Sequence, residues 1–134
     1  KKNIKYYMIH SGYLNGVNQT DDATIIISTK EELNKYIKKY DRKSWDIEGN
    51  EIDGEISRCL NKYDEQFFNV KSLVLYYVEL TSGSQSVDLD EPQIDGDTIS
   101  IKYKVKEPEI GICDMSGEII VVEVDKAVKK IDEK

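Results

Sequence analysis

The stretch Leu73-Val74-Leu75-Tyr76-Tyr77-Val78 has no polar face. Side chains alternate across a strand, so a strand built from this run is covered on both sides or sets its edge against another layer. The run predicts a central strand over 72–80. Ile119 to Val122 is a second such run and predicts a strand over 118–124 that closes the sheet. Neither approaches the roughly 18 consecutive apolar residues of a membrane span.

The remaining patterns suit an α+β domain. Ile4 to His10 and Thr24 to Ser28 read as strands, the latter with three successive isoleucines. Thr29 followed by Glu32 is a capping box. Leu33, Tyr36, Ile37 and Tyr40 then fall at i, i+3, i+4 and i+7, one stripe of an amphipathic helix. Ile56, Leu60 and Tyr63 predict a second helix from Glu55 to about Tyr63. From Thr98 to Lys106, Ile99, Ile101, Tyr103 and Val105 alternate with Ser100, Lys102, Lys104 and Lys106. That is one half-buried antiparallel strand, whose lysine row reads as defence of a sheet edge or as a stripe for an acidic partner. Ser86 to Asp90 is a further strand, and Lys126 to Lys134 reads as a short helix or a tail. The expected fold is one domain over 1–134, α+β, with a mainly antiparallel β-sheet packed against two α-helices.

Charge narrows the function. The 134 residues carry 26 acidic and 19 basic side chains, a net charge of −7. A nucleic-acid binder or an anionic-membrane binder would work against that field. A chain of this length buries about two-thirds of its surface, so a core forms without metals or disulfide staples. The opening Lys1-Lys2-Asn3 has no Met and reads either as an excised piece of a longer chain or as a mature fragment whose leader has gone, the second being compatible with export.

The single histidine, His10, would need Cys59 or Cys113 as nucleophile and an orienting carboxylate, and no nucleophile-elbow pattern surrounds either cysteine. The two cysteines lack CxxC spacing. They are either reduced core thiols or one Cys59–Cys113 disulfide, which would close a loop of about 50 residues and add about 4 kcal/mol. Asp88, Asp90, Glu91, Asp95 and Asp97 crowd together without an EF-hand pattern, so they read as a solvated face and turn. Gly12, Gly16, Gly83 and Gly96 are isolated, and none opens a phosphate-cradling loop. No catalytic residue, metal site or cofactor is expected. Trp45, the only tryptophan, is expected to plug the end of the core, with an exposed binding role as the alternative.

One set of segments carries a resemblance. Tyr63-Asp64-Glu65-Gln66-Phe67-Phe68, the strand Leu73 to Val78, Ser82-Gly83-Ser84, the strand around Ile99 and Ile101, Pro108-Glu109-Ile110-Gly111-Ile112-Cys113-Asp114-Met115, and Ile119 to Val124 occur in that order. Together, over about 63–124, they resemble small exported or lipoprotein-type proteins of clostridia and related Gram-positive bacteria. Those in turn resemble the C-terminal domain of PrcB, an accessory subunit of a bacterial surface protease complex. That domain has a Thr-Gly-Gly-Tyr-like first turn; here the turn is Thr81-Ser82-Gly83-Ser84, with no second glycine and no tyrosine. The resemblance implies an extracytoplasmic protein scaffold, secreted or lipid-anchored, and transfers no catalytic residues. The expected role is a non-enzymatic protein-interaction domain. Its contact candidates are Ser82, Gly83 and Ser84 in one loop and Pro108, Gly111, Cys113, Asp114 and Met115 in another. The alternative is a small-molecule, glycan or calcium-binding domain, which a concave aromatic pocket around Trp45 and the tyrosines would favour.

Overall fold

A computed structural model describes residues 4–14, 23–81, 84–107 and 115–132. In chain order they form β1 (Lys5–Ile9), β2 (Ile25–Ile27), α1 (Lys30–Tyr40), β3 (Ser44–Trp45), β4 (Glu51–Ile52), α2 (Glu55–Leu60), α3 (Glu65–Val70), β5 (Lys71–Leu80), β6 (Ser86–Leu89), β7 (Gln93–Asp95), β8 (Thr98–Ser100), β9 (Tyr103–Lys106), β10 (Ser116–Asp125) and β11 (Lys130–Asp132).

The two apolar runs lie side by side. β5 and β10 pair antiparallel along their whole length, from Ser116↔Leu80 to Asp125↔Lys71. β1 flanks β10 and β2 flanks β5, both antiparallel, giving the order β1-β10-β5-β2. β10 therefore lies inside the sheet and does not close it. Its apolar run has the same cause as that of β5: neighbours at both edges and a layer on each face.

Alternation sorts the side chains into two cores. Ile9, Ile27, Leu73, Leu75, Tyr77, Ile119 and Val121 face the helices and pack with Leu33, Tyr36, Tyr40, Ile56, Leu60 and Phe68. Val74, Val78, Ile120, Val122 and Val124 face the other way, onto Ile99, Ile101 and Val128. A layer of short strands covers that second face, β6 with β9 and the trio β11-β8-β7. The fold is thus α+β with antiparallel sheets packed against helices, in the layer order helices, main sheet, short strands. β2 has Ile25 and Ile27 in one core and Ile26 in the other, as three successive isoleucines require.

α1 follows its sequence signals. Thr29 Oγ1 accepts the Glu32 N–H at 3.1 Å, and Glu32 Oε1 accepts the Ser28 N–H at 2.9 Å. Leu33, Tyr36 and Tyr40 are buried and Ile37 packs beside them. The second helix is shorter than expected, because the chain turns at Asn61 and starts again. Asp64 accepts the Phe67 N–H at 2.9 Å and caps α3, so the described residues hold three helices rather than two. The expected strand over 98–106 is also two strands. β8 pairs with β7 and β11, while β9 pairs with β6. Between them the Lys102 carbonyl accepts the Asp90 N–H at 3.0 Å. Alternation reports a shared face and is blind to a change of partner. Lys104 stands opposite Asp88, and Lys106 makes an ion pair with Asp88 at 3.9 Å. Residues 130–132, expected as helix or tail, form β11, parallel to β8 with Ile131 opposite Ile99. The Asp97 carbonyl accepts the amides of Lys129 and Lys130, which seats that strand.

Candidate functional site

The most exposed apolar group among the described residues lies between α1 and α2. Ile47 is 101% exposed, Trp45 65% and Ile52 36%. Trp45 does not plug the core. Asp41 closes the base of this segment, so the residues between project as a hairpin. Asp41 Oδ2 accepts the Gly54 N–H at 3.0 Å and its Oδ1 accepts the Ser57 N–H at 2.9 Å. Gly54 is the N-cap of α2 and has no side chain to do this. Asp41 thus caps a helix far along the chain from itself. Lys43 and Asp53 add an ion pair at 3.1 Å, and Arg42 Nη2 donates to the Tyr13 carbonyl. The Asp53 carboxylate holds the Lys43 ammonium above the usual lysine range.

The tip is fixed from within. β3 and β4 pair as Ser44↔Ile52 and Trp45↔Glu51. Asp46 Oδ1 accepts the amides of Glu48 at 2.9 Å and Asn50 at 2.8 Å, and the Asp46 carbonyl accepts the Gly49 N–H at 3.0 Å. These amides, that of Asn50 first, hold the Asp46 carboxyl below the usual carboxylate range. Gly49 closes the turn at φ +87°, where a side chain is strained. Trp45 and Glu51 are cross-strand neighbours on one face. Neither Glu48 nor Glu51 forms a salt bridge with a described residue. The result is an ordered display of an indole and an isoleucine beside two carboxylates.

A second polar cluster ties the helix layer to the sheet edge. Tyr63 is 3% exposed and donates its hydroxyl to Glu123 Oε2 at 2.8 Å. Since that proton is committed, Tyr7 donates to the Tyr63 oxygen, at 2.7 Å. Lys5 reaches Glu123 at 3.6 Å, and Lys62 lies over both tyrosine rings. Burial, then the bonds to Tyr7 and Glu123, push Tyr63 well above the ordinary tyrosine range. The unfolded chain releases this proton near pH 10, whereas the folded chain keeps it. The stability it contributes is therefore complete below pH 10 and lost as pH rises beyond it. The alkaline limb of a stability–pH curve is expected to flatten in Tyr63→Phe by up to about 1.4 kcal/mol per pH unit. Urea unfolding of both proteins between pH 9 and 11.5 measures this, and parallel limbs would refute it.

The residues singled out in the sequence fall as follows. His10 follows β1, and its Nδ1 lies 2.6 Å from Glu118 Oε2. Glu118 is 9% exposed and its Oε1 has no hydrogen-bond partner among the described residues. Alternation places Glu118 on the short-strand face of β10, whereas Cys59 packs on the helix face. The main sheet separates His10 and its carboxylate from that thiol. Burial pushes the Cys59 thiol up. Cys113, and with it the proposed disulfide, lies outside the described residues, as do Ser82, Gly83, Pro108, Gly111 and Asp114. Of the proposed contact loops, Ser84 and Met115 are described and both are exposed. Among the described residues no group of three or more His, Cys, Asp or Glu side chains is placed to hold a metal ion. No described helix is long and apolar enough to cross a membrane. Sequence reasoning missed Glu118 and the display role of the hairpin. The Asp46-Ile47-Glu48-Gly49 turn was a readable signal for the hairpin.

No protein-family model, curated protein or solved structure matches the chain.

Proposed function

We propose that this chain is a non-enzymatic protein-interaction domain of the extracytoplasmic space, and that the hairpin Arg42–Asp53 is its contact element. The observation that carries the reading is Ile47, fully exposed at the tip of a turn whose backbone is locked by Asp46. Preorganisation removes the ordering cost that a flexible loop would incur on binding. Tryptophan is enriched among the residues that dominate binding energies. The two carboxylates suit a partner whose apolar pocket has a basic rim. The resemblance to PrcB-type domains supports a setting at a Gram-positive envelope, secreted or lipid-anchored, with an association to a protease as one form of the partnership. The ligand-binding alternative called for Trp45 and tyrosines around one hollow, but Tyr36 and Tyr40 are buried on the inner face of α1 while Trp45 stands on the hairpin.

The test is affinity capture from the envelope fraction of the source cells, then titration calorimetry with the purified partner. Trp45→Ala is expected to weaken binding by about 30-fold. Its circular dichroism and melting curve should match those of the parent, because the ring touches little of the core. A partner that binds the parent and Trp45→Ala/Ile47→Asp equally would refute the hairpin as the contact.

A further inference from the structure

The main sheet ends in two edges of different character. The Tyr77 N–H donates to Thr24 Oγ1 at 3.1 Å, so Tyr77 turns its backbone groups toward β2. Backbone direction alternates along a strand. Leu73 and Leu75 therefore also face β2, while Val74, Tyr76 and Val78 face β10. The pairing registers carry this alternation across the sheet. Ile119, Val121 and Glu123 turn toward β1 and meet Ile9, Tyr7 and Lys5. The Gly117 carbonyl, which accepts the Gly12 N–H at 3.1 Å, points the same way. Tyr6 and Met8 are left with N–H and C=O directed outward, and no described residue pairs with either. At the opposite edge, β2 turns only Ile26 outward, and Lys126 Nζ holds the neighbouring Ser28 carbonyl at 2.9 Å. That edge is blunted; β1 has no proline, and Lys5 is its one charge.

We propose that β1 pairs with β1 of a second copy of this chain, antiparallel about a twofold axis at Tyr7. In that register Tyr6 of each copy stands opposite Met8 of the partner copy, and all four outward N–H and C=O pairs are satisfied. Lys5 faces Ile9 of the partner copy, so no like charges face each other along the pair. The Lys5 ammonium is already compensated by Glu123 in its own chain. The Tyr7 rings meet at the axis as a cross-strand aromatic pair. The two four-stranded sheets become one continuous sheet. The net charge of −7 on each copy opposes the approach, so added salt tightens the dimer.

Sedimentation of the whole chain tests this. A reversible monomer–dimer equilibrium is expected, with a dissociation constant between about 10⁻⁵ and 10⁻³ M, as suits four backbone bonds and a small contact. Met8→Pro removes an N–H that no described residue of the same chain accepts, and is expected to weaken association at least tenfold. Trp45→Ala should dimerise like the parent, which separates this pairing from the role of the hairpin. Hydrogen exchange on the parent reads the same contact without a mutation. The Tyr6 and Met8 amides should slow as concentration rises, while the Tyr7 amide, already bonded to β10, does not change. A parent that stays monomeric to about 1 mM, a Met8→Pro protein that dimerises equally well, exchange independent of concentration, or association weakened by salt would each overturn the proposal.

Discussion

Gly117→Ala is expected to lower the unfolding free energy by about 3 kcal/mol, near the upper end for overpacking a filled site. A Cβ there would lie 2.6 Å from Tyr77 Cε1, 2.7 Å from Tyr77 Oη and 2.8 Å from the Gly12 carbonyl. The ring cannot move aside cheaply. Its hydroxyl accepts the N–H of Leu14, a residue 2% exposed, and swinging it away would leave that amide buried without a partner. The Gly12 carbonyl cannot retreat either, because the Gly12 N–H is bonded to the Gly117 carbonyl. Urea unfolding followed by circular dichroism measures the loss, and a thermal scan should fall by about 10 °C. Pairing Gly117→Ala with Tyr77→Ala should cost clearly less than the sum of the two, since removing the ring removes the clash. A loss below about 1 kcal/mol for Gly117→Ala alone would mean that the sheet flexes more readily here than a packed interior does.

Gly54→Ala is expected to be comparably damaging, at about 3 kcal/mol, for a different reason. The backbone φ of Gly54 is −80°, which any residue adopts. What fails is space. The new Cβ would stand 2.2 Å from the Arg42 carbonyl oxygen and 2.5 Å from Asp41 Oδ1. Relief requires the base of the hairpin to open, which breaks both bonds from Asp41 to the start of α2. Asp41→Ala makes the comparison. It removes those charge-assisted bonds without a clash and should cost about 1.5–3 kcal/mol. The double variant should add little to Gly54→Ala, since both sever one joint. Proteolysis at the hairpin should accelerate in both single variants and remain slow in Trp45→Ala. Equal rates in all of them would show that Asp41 does not govern the hairpin.

These sites also show where local pattern ended. α1 was legible because its cap, its stripe and its terminal charges all lie within one segment. The assignment of residues to faces was legible where apolar and polar residues alternate strictly, as over 99–106, whose Ile99, Ile101, Tyr103 and Val105 share one core. Asp41 was not legible as the cap of α2, because the donor amides lie beyond an intervening hairpin. Trp45 was expected inward on its side-chain chemistry, yet its neighbours Asp46 and Gly49 favour a turn that turns it outward. Glu118 was one carboxylate among many until the fold set it beside His10.

By itself, then, the order of residues determined the kind of element at most positions, the central place of β5, the apolar character of β10 and the acidic surface. Periodicity and capping act over a few residues, and a covered strand announces itself by the absence of a polar face. Tertiary structure alone decided that β10 lies inside the sheet, that β8 and β9 have different partners, and that β11 returns to lie parallel to β8. It also decided that no described residue pairs with Tyr6 or Met8 at the outer side of β1. Every strand's backbone has the same donors and acceptors, so pairing carries no local side-chain signature. It is set by which long-range contacts together bury both faces of the sheet.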